Sequence, residues 1–184
     1  MNLLIRLKTI LPILVTLACF GLSPGGRAVN PPPDGGYPNG NTAEGTDALF
    51  NLTTGGANTA TGSDALFNNT TGSHNTANGE FSLLENRTGD DNTATGFDAL
   101  FRNTIGSNNT ATGSDALLSN TTGSDNTANG FAALHFNTTG EDNTAIGKEA
   151  LEFNTTGFGN TANGFQRSLA TPPAPATPPA VLSR

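Results

Sequence analysis

Small apolar and polar residues alternate along this chain in an order that returns every 17 residues. The tripeptide Asn-Thr-Ala begins at Asn41, Asn58, Asn75, Asn92, Asn109, Asn126, Asn143 and Asn160, with no insertion or deletion between units. Numbered from that Asn, positions 1, 2, 3 and 5 are Asn, Thr, Ala and Gly in all eight units; in the seven complete ones position 9 is Leu and position 15 is Gly. A period of two in the opening segment puts Ala and Gly on one face, and Thr and the variable position 4 on the other. Position 4 is polar in every unit except at Ile146. The predicted core is therefore an Ala column (Ala60, Ala94, Ala111, Ala128 and equivalents) beside a Leu column (Leu66, Leu100, Leu117, Leu134 and equivalents).

A unit of 17 residues is too short for two helices, and Gly, Asn and Thr are poor helix formers. It suits one rung of a stacked β structure: its extended contour is at most ~56 Å, enough for two short strands and two turns around a thin interior. The pattern predicts an all-β fold, a β-solenoid or β-roll of eight 17-residue rungs over residues 41–170, with disordered termini and two closely packed sheets. Gly at positions 5 and 15, represented by Gly62, Gly96 and Gly113 in the first column, marks corners expected to need positive φ. Asn58, Asn75, Asn92, Asn109, Asn126 and Asn143, stacked rung on rung, are expected to form a side-chain amide ladder.

The flanks differ in composition. Residues 1–28 read as a signal peptide: Arg6 and Lys8, an apolar run from Thr9 to Leu22 too short to span a bilayer, then Gly26-Arg27-Ala28 with small residues at −3 and −1. Cys19, the one cysteine, leaves with that segment, because the residues before it match a lipidation signal poorly. Residues 29–40 are an extended Pro/Gly-rich leader, and residues 171–184 a Pro-rich tail. Within the eighth unit Arg167 and Ser168 replace Ala and Leu, which suits a capping rung. The full chain of 184 residues carries a formal charge of −7; without residues 1–28 it keeps 5 basic and 15 acidic residues. Diffuse negative charge argues against nucleic acid and anionic membrane surfaces as partners. No second apolar stretch is long enough to span a bilayer, so the mature chain is expected to be secreted or to sit at the cell surface.

Several columns invite chemistry. Phe50, Phe67, Leu84, Phe101 and Leu118 at position 10 would point outward from a plain strand and form a candidate oligomer interface. The column then changes to His135 and Glu152, while Phe136 and Phe153 appear one place later. Asp47, Asp64, Asp98 and Asp115 at position 7, with Asp90, Asp91, Asp125 and Asp142 at the unit boundary, faintly suggest calcium. Turn and surface Asp explains them better, and no cofactor is expected. Thr-Ala-Thr at 59–61, 93–95 and 110–112 suggests an ice-binding face, interrupted by Glu44, Asn78, Asn129 and Asn163. Asn-x-Thr sequons at Asn51, Asn69, Asn86, Asn120, Asn137 and Asn154 read as turn asparagines. His74 and His135 fall at different positions and make no metal pair, and Ser and Asp recur only with the repeat, so no enzyme is expected.

Units such as NTAIGKEALEFNTTG (Asn143 to Gly157) resemble the 17-residue NTAxGxxALxxNTTG repeats of bacterial surface and tail-fibre proteins. More loosely, they are similar to the left-handed β-roll heads of trimeric autotransporter adhesins. The resemblance covers residues 41–164 and implies a rigid, exported, homotrimeric roll that presents a surface to an unknown extracellular ligand; such repeats carry no catalytic residues. The expectation is an exported structural module for adhesion or matrix, with ice binding on the stacked Thr columns as the alternative.

Overall fold

The structure, a computed structural model, describes residues 37–166. The predicted signal peptide, Cys19, most of the leader, the Arg167–Ser168 cap and the Pro-rich tail lie outside the described residues. The described chain is a β-solenoid whose strands fall at the same place in every rung: β1 Thr42–Glu44, β2 Thr59–Thr61, β3 Thr76–Asn78, β4 Thr93–Thr95, β5 Thr110–Thr112, β6 Thr127–Asn129, β7 Thr144–Ile146 and β8 Thr161–Asn163. They pair in sequence order as one parallel sheet, Thr on Thr and Ala on Ala. Seven steps of about 4.8 Å carry that sheet about 34 Å.

Alternation holds in each strand, with the central Ala inward and its neighbours outward. Across the interior, however, there is no second sheet. Positions 6–10 form turns, and the rungs still bond to one another there: the Leu66 N–H donates to the Ser82 carbonyl of the next rung (3.0 Å), and the Asp64 N–H to Thr46 of the previous one (2.8 Å). The expected second strand is replaced because positions 7 and 9 adopt positive φ, as at Asp98 (55°) and Leu100 (54°). This kink turns two successive residues, Ala at 8 and Leu at 9, into the core, which a strand with period two does not allow. A left-handed Leu costs about 1–2 kcal/mol of backbone strain, against about 1.5–3 kcal/mol for burying its side chain.

Asp tolerates the left-handed region better than most residues, which accounts for its recurrence at position 7. The same holds at position 17, where His74, Asp91, Asn108, Asp125 and Asp142 all have φ between 56° and 59°. Gly at position 5 fills a backbone region closed to other residues: Gly62, Gly96 and Gly113 have φ of 131°, 135° and 129°. Gly at position 15 departs from expectation, because its φ is not positive. It is required by close approach: a Cβ on Gly106 would strike the Gly123 carbonyl and the Asn103 side chain.

Two buried amide ladders complete the interior. In the first, each position-1 Asn accepts through Oδ1 from the next rung's Asn: Asn92 donates to Asn75 through its backbone N–H (3.0 Å) and its Nδ2 (3.1 Å). That Nδ2 also reaches the position-15 carbonyl of its own rung, Asn92 to Gly106 at 2.9 Å. The second ladder, at position 12, is formed by asparagines whose sequence suggests only turns. Asn69, Asn86, Asn103, Asn120, Asn137 and Asn154 are buried, and each Nδ2 from Asn86 onward donates to the preceding Oδ1, as Asn103 does to Asn86 at 2.8 Å. Each of these amides also donates to the position-15 carbonyl, Asn103 to Gly106 at 2.8 Å, so both ladders converge on one oxygen per rung.

The leader does not stay extended to its end. Tyr37 is buried against the first rung and bridges to Asn41, a 3-10 turn spans Pro38–Gly40, and the Asn39 carbonyl accepts from the Ala57 N–H at 2.9 Å. Residues 37–40 thus cap the first rung, and burial raises the Tyr37 phenol above its ordinary pKa. Replacing Asn103 by Ala strands the buried Asn86 Oδ1 and opens a cavity. The variant is expected to lose about 3 kcal/mol in urea unfolding, whereas the exposed strand substitution Thr112→Ala should stay within about 0.5 kcal/mol.

Candidate functional site

Three exposed strips run along the solenoid. The sheet strip carries Thr at position 2 in all eight rungs, beside position 4. Only Thr61, Thr95 and Thr112 complete a Thr-x-Thr pair there; Glu44, three Asn and the exposed Ile146 interrupt the column.

The second strip, positions 6 and 7, is aromatic and acidic. Phe81 meets Phe97 and Phe101 edge-on at centroid distances of 5.9 and 6.5 Å. The Lys148 ammonium sits between Phe131 and Phe165, 5.7 and 5.4 Å from their centroids, and 3.2 Å from a Glu149 oxygen. The Gln166 amide donates to Glu149 at 2.7 Å; with Lys148 it holds that carboxyl below its ordinary pKa. Asp98 is in the opposite situation. Its Oδ1 is sealed from solvent without a hydrogen-bond partner, and burial, then the charges of Asp115 and Glu80, raise its pKa. Among the described residues no three His, Cys, Asp or Glu side chains converge as metal ligands.

The third strip, positions 10 to 13, holds the proposed interface column. Phe50 is exposed, whereas Phe67, Leu84, Phe101 and Leu118 are half-buried within the chain itself. Phe50 and Phe67 lie face to face at 5.3 Å with ring planes 3° apart. Where the column shifts, Phe136 and Phe153 stack at 5.5 Å, and His135 packs edge-on against Phe136 at 4.4 Å with its Nδ1 buried and unpartnered. The stacked pair walls one end of a groove of about 430 Å³ that runs over rungs four to seven, with Arg102 at the far end and Ser119 between. Thr121, Thr138 and Thr155, the position-13 column, also line it.

The sequons fall mostly inside. Asn69, Asn86, Asn120, Asn137 and Asn154 belong to the position-12 ladder, and Asn51 donates its amide to Asn68 at 3.1 Å. A glycan on any ladder residue would replace a buried Nδ2–H donor, which this fold cannot accommodate. The signal for that ladder was present, since Asn stands at position 12 in six of seven complete units, but the Asn-x-Thr spelling directs attention to the surface.

No protein-family model, curated protein or solved structure matches this chain.

Because the folded state disfavours the Asp98 carboxylate, its charge costs stability above its raised pKa, and the cost disappears as pH falls through that value. Asp98→Asn keeps the shape and the tolerance for positive φ. It should therefore raise the melting temperature at pH 7, with the gain over wild type shrinking to zero in acid; a gain unchanged by pH would contradict this.

Proposed function

We propose that this chain is an exported structural module, a rigid rod that displays a repetitive surface outside the cell for adhesion or matrix building. The observation that carries the reading is how invariance and burial divide within the unit. Of the six invariant positions, 1, 3, 9 and 15 are the Asn ladder, the Ala and Leu columns and the glycine under the ladders, all facing inward, and Gly at 5 is fixed by its positive φ; Thr at position 2 is the one that faces outward. The positions that vary most, 4, 6, 10, 11, 16 and 17, are exposed or half-buried in every described rung, and at 16 the Ser107 N–H donates to Ser124 Oγ of the next rung at 3.1 Å. Selection for a scaffold that carries changeable side chains would produce this division. The basic-then-apolar start of the chain and the resemblance to bacterial surface repeats support export. The interrupted Thr column makes ice binding the weaker reading.

The core closes within one chain, so the trimer implied by the resemblance would rest on surface contacts, for which the position-10 ridge is the candidate. Expression of the full chain in a bacterial host should place it outside the cytoplasm, shortened by residues 1–28; an uncleaved cytoplasmic product would overturn the reading. Sedimentation equilibrium of the purified protein decides the trimer separately, with three chain masses for it and one against it.

A further inference from the structure

The groove on the third strip has a chemistry that the rest of the rod lacks. The described residues include only three basic side chains, Arg87, Arg102 and Lys148, among 14 acidic ones. Lys148 is paired with Glu149, but Arg102 makes no ion pair within 4 Å. Glu85 occupies the same column one rung earlier, yet the Arg102 side chain lines the groove instead. Opposite it, two and three rungs or about 10 and 14 Å along the axis, Phe136 and Phe153 are 40% and 66% exposed. Apolar rings of that size left in water beside a free guanidinium form a bipolar surface: flat and apolar at one end, cationic at the other.

The Thr column narrows the choice of ligand. Thr121 and Thr138 donate their hydroxyls to the carbonyls of the following rung at 3.0 and 2.9 Å, leaving a methyl and an oxygen lone pair each. The backbone N–H groups of Arg102, Ser119 and Phe136 all donate to the next rung, at 3.0, 3.0 and 2.9 Å. An extended peptide adding to this strip would find those donors engaged, and strand addition depends on free main-chain groups. A sugar chain has no such need. Its C–H faces lie flat on Phe rings, its hydroxyls donate to Thr oxygens and Ser119, and a carboxylate meets Arg102 through two parallel hydrogen bonds. Glu152, next to Phe153 in sequence, disfavours a second carboxylate at the aromatic end.

We propose that this groove binds a short oligosaccharide, about three sugars long, with one carboxylate at its end. The assignment rests on the display reading and names a ligand class for it. The test titrates the purified full-length chain with sialyllactose, which has one terminal carboxylate, and with neutral lactose, following both by NMR shifts or calorimetry. Sialyllactose should bind about tenfold more tightly. Arg102→Gln should erase that difference, and Phe153→Ala should weaken both ligands; both side chains are exposed, so unchanged melting temperatures verify the fold. Absence of sialyllactose binding at about 10 mM, about ten times the dissociation constant of a 1 mM complex, overturns the proposal, as does a preference that survives Arg102→Gln. Either failure leaves the fractionation result untouched, so loss of the ligand and loss of the export reading are told apart.

Discussion

Everything in this fold depends on the position-15 carbonyl and the two asparagine amides that meet on it. Gly106 accepts from Asn92 and from Asn103, and the same arrangement repeats at Gly72, Gly89, Gly123 and Gly140. A rung this small encloses little besides Ala, Leu and Asn, too little apolar surface to fold by burial alone. The turns must therefore be held by hydrogen bonds inside a dry interior, where such bonds are stronger and an unmade one is expensive. A carbonyl with both lone pairs filled leaves no tolerance in register. One inserted residue would displace both amides from their acceptor, which explains why eight units pass without an insertion or deletion.

The rung and its first ladder were legible because they repeat without exception. Asn at position 1, Ala at 3 and Leu at 9 are simple columns, and a column is what a solenoid core must be. The second ladder was harder to see: position 12 is Leu52 in the first unit, and its Asn-Thr-Thr spelling is shared with ordinary turns. The single sheet was not legible at all. Leu carries no local preference for positive φ, so nothing in Ala-Leu-x announces that position 9 is left-handed. Only the stack supplies the reason, because each Leu N–H finds the carbonyl of the next rung in that conformation, as Leu100 does with Ala116 at 3.0 Å. The Asp at position 7 was legible as a turn residue, and the turn it occupies is the left-handed one that Asp tolerates.

Dependence on neighbours alone also explains where the chain is free to vary. In a solenoid each rung rests on the one before and the one after, so stability is nearly a sum of local terms. A change at an exposed position perturbs one rung and leaves the rest of the ladder in register. The move of the aromatic residue from position 10 to position 11 in rungs six and seven is such a change. It leaves Leu134 and Leu151 buried, keeps Asn137 and Asn154 in their ladder, and places Phe136 and Phe153 where a groove opens.

Specific recognition on a periodic rod then requires that the period be broken. Eight identical rungs would offer a ligand eight equivalent registers, and a weak contact would slide among them. The groove lies where three irregularities coincide: a guanidinium that appears once in its column, a serine beside it, and a stacked aromatic pair displaced by one residue. Since the buried amides fix those rungs axially, the irregular side chains inherit defined spacings without a second layer of supporting structure. The rigidity of the invariant interior is thus what allows a few variable residues on the outside to act together as a site.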